Sequence, residues 1–575
     1  MALIWHGSVQ ADEVVNMGAL ALVHPLLKEL DVAAIIDRHV PGNPQQEYRH
    51  GEVLSLLLAA RLCQPTALVN VPAWAEKTGA DILWNIPADK LNDDRLGRAL
   101  DAFFEQRHSI LASVTQQALQ FTGLTLTRLH FDTTHVIFYG AYAGSEPRPA
   151  VALDDVRGDS ELPAAHIRHG YLTNERMVQA GVSALVDEHG AIPVFNQILD
   201  GNRNGFPGIR EQYQLLKQHL PLPNDLLMVS DRGTFSAEHV ARLWRHGHHV
   251  LCSVPWNDYR GLYDAQAPTL QWQTASYLSI QQRRRRETNS TLPREDYQLA
   301  VVRHTLTDPT TQEAIPCRVI FVRSSADGKE ARQRREQNIA TIKAGLENIA
   351  LKVQRAHPRS DHASIARQVG KLFGKKAAAK YFRWELVPLT PAEREALPAV
   401  GRGFKRPSHR FTFTFDADAA QADSRHDGLA ALVTTAPLTR SADTLFTQFK
   451  QQNFLELQHH QWKTPLAVRP VFLKSPERVE ALLCLLQLAL QVHQVLERRY
   501  RQTLPADAPI REQRMTAESL LREFRVYGLL IRREPVGRVV YATRLTSRQR
   551  RILNQLSFTT PAQTLAHNLR PVPTG

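Results

Sequence analysis

Residues 226–255 read LLMVSDRGTFSAEHVARLWRHGHHVLCSVP. Residues 226–230 form a short apolar run that stops at Asp231, the pattern of a strand covered on both faces. Residues 236–247 read as a helix and 249–255 as a second strand. A helix between two strands implies a parallel crossover, and such sheets bind ligands outside the carboxyl ends of their strands. Asp231 stands at one of those ends.

Upstream, residues 126–140 (LTRLHFDTTHVIFYG) are rich in β-branched and aromatic side chains and carry Asp132 in mid-strand. Residues 177–186 and 191–199 read as two strands joined by the turn DEHG at 187–190, and 208–220 as a helix. The order is strand, strand, strand, helix, strand, helix, strand, which predicts an α/β domain. Before it, residues 15–125 look helical, with apolar positions at helical spacing in 19–30 and 53–62. The segment 92–104 (NDDRLGRALDAFF) opens on a capping Asn and acids.

Downstream, residues 256–410 are basic and mix strand-like pieces (298–302, 317–322) with a helix at 332–353. Regular signals return at 410–415 (RFTFTF) and at 429–435, after Asp427-Gly428. Ser441 then caps a helix running to about Gln461, and 476–501 carries an apolar stripe. Residues 538–541 suggest a strand and 546–556 a helix. The expected division is a helical N-terminal domain at 1–125 and a catalytic α/β domain at 126–255 and 411–501. A basic insertion at 256–410 interrupts it, and an Arg-rich region at 502–575 follows.

Hydrophobic residues are 43% and charged residues 22% of 575, enough to bury a sizeable core. The four cysteines are far apart and form no CxxC pair, which argues against a thiolate zinc site and a disulfide framework. The first residues show no signal-peptide pattern. The most apolar stretch, 481–492, holds Gln487 and Gln491 and falls short of the ~20 residues of a membrane span. A soluble cytoplasmic protein with no membrane partner is expected.

The net charge of +13 is local. Residues 281–410 hold 27 Lys/Arg against 13 Asp/Glu, and 491–575 hold 15 Arg against 6 acids. Two concentrations of positive charge point to a polyanion, since Lys and Arg on phosphates release counterions. The run Arg283, Arg284, Arg285, Arg286 is the densest. A solvated basic surface is the alternative.

A charge in a strand is costly unless it is paired or binds a metal. If the strands of Asp132 and Asp231 are parallel neighbours, both carboxylates reach one crevice. Convergent carboxylates are what Mg²⁺ needs. Separate turn and cap roles would give the same spacing, so the spacing leaves both readings open.

The residues carry a resemblance. The chain looks like a DDE transposase of bacterial insertion sequences, in the insertion-sequence-four-like group with the signature Y-x2-R-x3-E-x6-K. Here that window is Phe449-x2-Gln452-x3-Glu456-x6-Lys463, with Phe for Tyr and Gln for Arg. The strand HFDTT at 130–134, Asp200-Gly201-Asn202, and PLAVRPVFLKSPERVEALLCLL at 465–486 are similar to one subgroup, and the likeness spans roughly 15–545.

The resemblance implies a ribonuclease-H-like mixed sheet with a large insertion, and a triad of Asp132, Asp231 and Glu456 serving as catalytic groups and metal ligands. It implies two Mg²⁺ per site, with Mn²⁺ able to substitute, and double-stranded DNA as substrate. A homodimer is implied when element ends are synapsed, in a bacterial cytoplasm, nucleoid-associated when bound to DNA. DNA contacts are expected from Gln452, Lys463, Arg232 and the four arginines at 283–286. Two rivals remain: a catalytically silent DNA-binding protein of the same ancestry, and a metal-dependent nuclease that does not join strands.

Other residues read more plainly. His130 and His135 fall on opposite strand faces, so a zinc site is not expected. His459 and His460 follow Glu456 by three and four residues and could touch DNA or a metal, but read more plainly as exposed helix histidines. Trp384 is either a stacking residue or part of the insertion's core. Glu385 and Glu480 read as local ion-pair partners.

Overall fold

The computed structural model describes residues 13–138, 162–169, 176–187, 189–202, 205–279, 282–283, 285–286, 289, 296–355, 361–399, 406–463, 473, 475–534 and 537–559. After β1 (Glu13–Val15) come α1 (Leu20–Glu29), α2 (Val32–His39), α3 (His50–Cys63), α4 (Val71–Thr78), α5 (Ala80–Trp84), α6 (Asp93–Phe104) and α7 (Arg107–Thr122). In α6 the side chain of Asn92 accepts the Arg95 N–H at 2.9 Å, and Leu96, Ala99, Leu100 and Phe103 form one buried stripe.

The sheet region holds β2 (Arg128–Phe138), β3 (Arg168–His169), β4 (Arg176–Asp187), β5 (Gly190–Asp200), α8 (Gly205–His219), β6 (Leu227–Ser230), α9 (Ala237–Arg245) and β7 (His249–Val254). Then follow α10 (Trp256–Gln266), β8 (Gln273–Thr274), β9 (Tyr297–Thr307), β10 (Ala314–Ser324), α11 (Ser325–Gln354), α12 (His362–Phe373), β11 (Phe382–Pro388), α13 (Pro391–Ala396), β12 (His409–Phe415) and α14 (Ala417–Ser424). The chain continues with β13 (Leu429–Thr434), α15 (Ala442–Lys450), α16 (Asn453–Lys463), α17 (Pro476–Gln502), α18 (Ile510–Gln513), α19 (Ala517–Glu523), β14 (Leu529–Glu534), β15 (Gly537–Ala542) and α20 (Ser547–Leu556).

The architecture is mixed α/β. Strands run in the order β3-β4-β2-β6-β7-β13-β10-β9-β8, with β5 beside β4. β2, β6 and β7 are mutually parallel, and among the described residues every other pairing in this sheet is antiparallel. The expected crossover is therefore present: β6, α9 and β7, with Ser236 capping α9 through the His239 N–H at 3.0 Å.

Three boundaries differ from the sequence reading. First, residues 256–410 are not one insertion. β9 and β10 form a long hairpin that extends the main sheet through β13. The separate unit runs from α11 to α14, with its own core of Ile342, Leu346, Ile349, Ile365, Val369, Tyr381, Phe382 and Phe411. β12 belongs to that unit, pairing among the described residues with β11 alone, and Trp384 stacks on Phe411 within it at 5.9 Å. Composition marked the basic region correctly, but strand pairing is non-local and left no trace in it.

Second, the helical N-terminal region has no core of its own. It shares one with α17 and with Leu520, Phe524, Tyr527, Ile552 and Leu553 of the C-terminal region, and β1 pairs with β14. α17 has the length and hydropathy of a membrane span, yet 20 of its 27 residues are buried inside the protein. Within that core Gln491 donates to Thr115 Oγ1 at 2.9 Å and to the Pro193 carbonyl at 2.8 Å.

Third, the helix expected from Ser441 to Gln461 is broken into α15 and α16. Ser441 does cap the first piece, accepting the Thr444 N–H at 3.1 Å. The break falls at Gln451 and Gln452, whose side chains bond to other elements.

Candidate functional site

β2 and β6 pair in parallel with Phe131 opposite Ser230. Asp132 and Asp231 are the next residue of each chain segment, so they stand side by side, one strand spacing (about 4.8 Å) apart. Asp231 keeps an extended backbone, φ −87° and ψ 169°, and so continues the strand. Equivalent register positions point to the same face, and this end is the carboxyl end of β6. Asp132 is half-buried and Asp231 exposed.

Neighbouring groups fix both carboxylates. Asp231 Oδ1 accepts the Arg232 N–H at 2.6 Å and the Ser253 hydroxyl at 2.5 Å. Ser253 lies on β7, where its neighbour Cys252 is in register with Ser230. Asp132 Oδ1 accepts the Thr133 N–H at 2.8 Å, and His459 Nδ1 lies 3.5 Å from Asp132 Oδ2. His459 is buried, which corrects its reading as an exposed helix residue. One signal was available: Gln452, Glu456 and His459 are spaced i, i+4, i+7 and share a helical stripe. Ser253 left no such signal, because strand register is not local.

The helix α16 is held over β2, β4 and β5. Leu455 packs with Val182, Ala184, Val186 and Ala191. Gln458 donates to the Ala191 carbonyl, and Arg128 of β2 donates to Gln451 Oε1 at 2.6 Å and to the Val186 carbonyl. Gln452, expected at DNA, is instead 9% exposed. Its Nε2 donates to the Phe131 carbonyl at 3.0 Å, and its Oε1 lies 2.6 Å from His130 Nδ1. The amide oxygen can only accept, so His130 carries its proton on Nδ1. Burial, with the nearby charge of Arg128, pushes the His130 pKa down to about 3, so the ring is neutral.

Glu456 is exposed on α16, between Gln452 and His459 on that stripe. The aspartate pair offers the hard oxygen donors that fit a divalent cation. The complete triad is not assembled: among the described residues no three His, Cys, Asp or Glu side chains converge to hold a metal.

The expected DNA contacts divide. Arg232 is exposed beside Asp231, and Arg283 and Arg285 are exposed while Arg286 is half-buried. Arg283 lines a small cleft with Tyr277, Lys450, Gln451, Asn453 and Phe454, at the amino end of α16. Arg284 lies outside the described residues, as does the side chain of Lys463, the last residue of α16. Much of the C-terminal basic charge is locally balanced, for instance Arg522 by Glu518, Arg548 by Glu523 and Arg551 by Glu512. Glu480, read as a local partner, is buried against Arg107, with Oε1 2.7 Å from Nε. Glu385 lies on β11 opposite Thr412, in the α11–α14 unit.

Residues 12–115 match a family model described as a domain of unknown function, DUF4277. The match takes in most of the helical region and leaves the sheet outside it. No curated protein matches the chain.

Proposed function

We propose that this chain is a DDE-type transposase that cuts DNA at the ends of an insertion sequence and joins them to target DNA, on a ribonuclease-H-like centre. The observation that carries the reading is the register of β2 and β6, which sets Asp132 beside Asp231 at the carboxyl end of a parallel pair. The meander β5-β4-β2 running into parallel β6 and β7 supports the fold assignment.

Asp132 and Asp231 would hold the metal, with Glu456 as third carboxylate on the stripe that carries Gln452 and His459 to β2. Two Mg²⁺, or Mn²⁺, would supply charge neutralisation at the attacking and leaving oxygens. Ser253 and the Arg232 N–H keep the Asp231 carboxylate from rotating, and the Thr133 N–H does the same for Asp132. In the reaction an oxygen of water, or of a DNA 3′-hydroxyl, bonds to phosphorus in line with the departing oxygen. The nucleophile loses its proton to solvent, and the departing oxygen takes one up. Cutting and joining differ only in the nucleophile, so one site serves both.

The test is a supercoiled plasmid carrying the coding sequence with its native flanks, incubated with the full chain and Mg²⁺ or EDTA. Nicks at fixed flanking positions and joined products are expected with Mg²⁺ only, and Glu456→Gln is expected to remove both. Nicks without joined products would identify a nuclease. Binding without nicks would identify a silent DNA-binding protein.

DNA binding is expected to weaken steeply with salt. Each neutralised phosphate contributes about −0.9 to the log–log slope on duplex DNA. Arg283→Glu combined with Arg285→Glu should flatten that slope by about 0.9 for every phosphate left without its arginine, with an unchanged melting profile. A slope identical to the parent's would remove this run from the interface.

A further inference from the structure

We infer that Gln452 and His130 form a buried latch that docks α16 on β2, so that Gln452 acts as a positioning residue for Glu456 where the resembled signature has an arginine. The consequence for catalysis rests on the function proposed above; the docking itself does not.

The latch consists of two hydrogen bonds. Gln452 donates to the Phe131 carbonyl, and His130 Nδ1–H donates to Gln452 Oε1. His130 and Phe131 are consecutive in β2 and lead directly to Asp132. Gln452 sits at the break before α16, one helical turn ahead of Glu456. The shared amide thus ties the strand that carries one carboxylate to the helix that carries another.

The chemistry requires a neutral amide. His130 is fully enclosed, and Gln452 has only a sliver of surface, so an arginine here would bury a charge in place of a neutral amide. A carboxamide donates to the carbonyl and accepts from Nδ1–H at once, whereas a guanidinium can only donate. Removing it leaves two buried groups unpaired, the costly direction for a hydrogen bond. The latch uses one of the two Nε2 hydrogens, and burial keeps the side chain from a phosphate.

The experiment compares Gln452→Met with the parent full chain by hydrogen exchange, and by nicking of the flanked plasmid. Met keeps the length and flexibility and removes both hydrogen bonds. Exchange within 453–463 should rise about tenfold, while β4 and β5 keep their protection. The nicking rate at saturating protein should fall at least about tenfold with the DNA dissociation constant within twofold.

His130→Leu leaves the bond to the Phe131 carbonyl and should give a smaller rise in the same segment, which keeps the test decisive if Gln452→Met folds poorly. Unchanged exchange over 453–463 in both variants would overturn the latch. Weaker DNA binding with an unchanged saturated rate would also overturn it and return Gln452 to the DNA interface. If the parent chain nicks nothing, the transposase reading fails while the exchange result still decides the docking.

Discussion

Asp132→Asn and Asp231→Asn are each expected to lower Mg²⁺-dependent cleavage by about 10³-fold or more while leaving binding to the element ends within a few-fold. A metal at a phosphoryl centre supplies several kcal/mol of charge stabilisation, and each 1.36 kcal/mol is a factor of ten. The amide keeps the shape of the side chain, and for Asp231 it can still accept from Ser253, so the fold should persist. The measurement is the single-turnover nicking rate beside a binding isotherm. If binding falls with cleavage, the carboxylates hold the strands together instead of a metal. Cleavage that survives in EDTA would rule out metal-assisted chemistry altogether.

The second large effect is on stability. Glu480→Gln is expected to destabilise the helical core by about 3–5 kcal/mol, the cost of leaving one charge of a buried pair uncompensated. Arg107 and Glu480 are 0% and 2% exposed, at 2.7 Å. Glu480 also accepts the Ala165 N–H at 2.7 Å, and Arg107 donates to the carbonyls of Phe104 and Leu162. The pair therefore joins α7, α17 and the segment entering β3. A domain's whole stability is only about 5–15 kcal/mol, so the shift should be plain in a urea titration. Glu518→Gln, which loses an exposed pair with Arg522, is the control and should move the midpoint by no more than about 1 kcal/mol. Equal midpoints for the two variants would contradict the buried-pair account.

These expectations separate what local sequence decides from what it cannot. The alternation and β-branching of 126–140, the apolar run 226–230 and the caps at Asn92, Ser236 and Ser441 each act within a turn or two of chain. They specified elements that the structure contains. The placing of Asp132 and Asp231 as possible neighbours also followed, because a strand–helix–strand order favours a parallel sheet.

Long-range pairing decided the rest. Whether residues 297–324 left the sheet or joined it depended on the register of β10 with β13, more than a hundred residues away. Glu480 looks the same in sequence whether it meets Arg478 on its own helix or Arg107, 373 positions earlier. Gln452 looked like a substituted phosphate contact, because its hydrogen-bond partners lie on a strand 321 and 322 positions upstream. His459 and Ser253 came to the aspartates in the same way. Periodicity and capping are set by a few bonds along the chain, so most elements were legible locally, while the break at Gln451 and Gln452 was not. Which polar groups share a buried space depends on packing among elements distant in sequence, and local sequence carries no record of it.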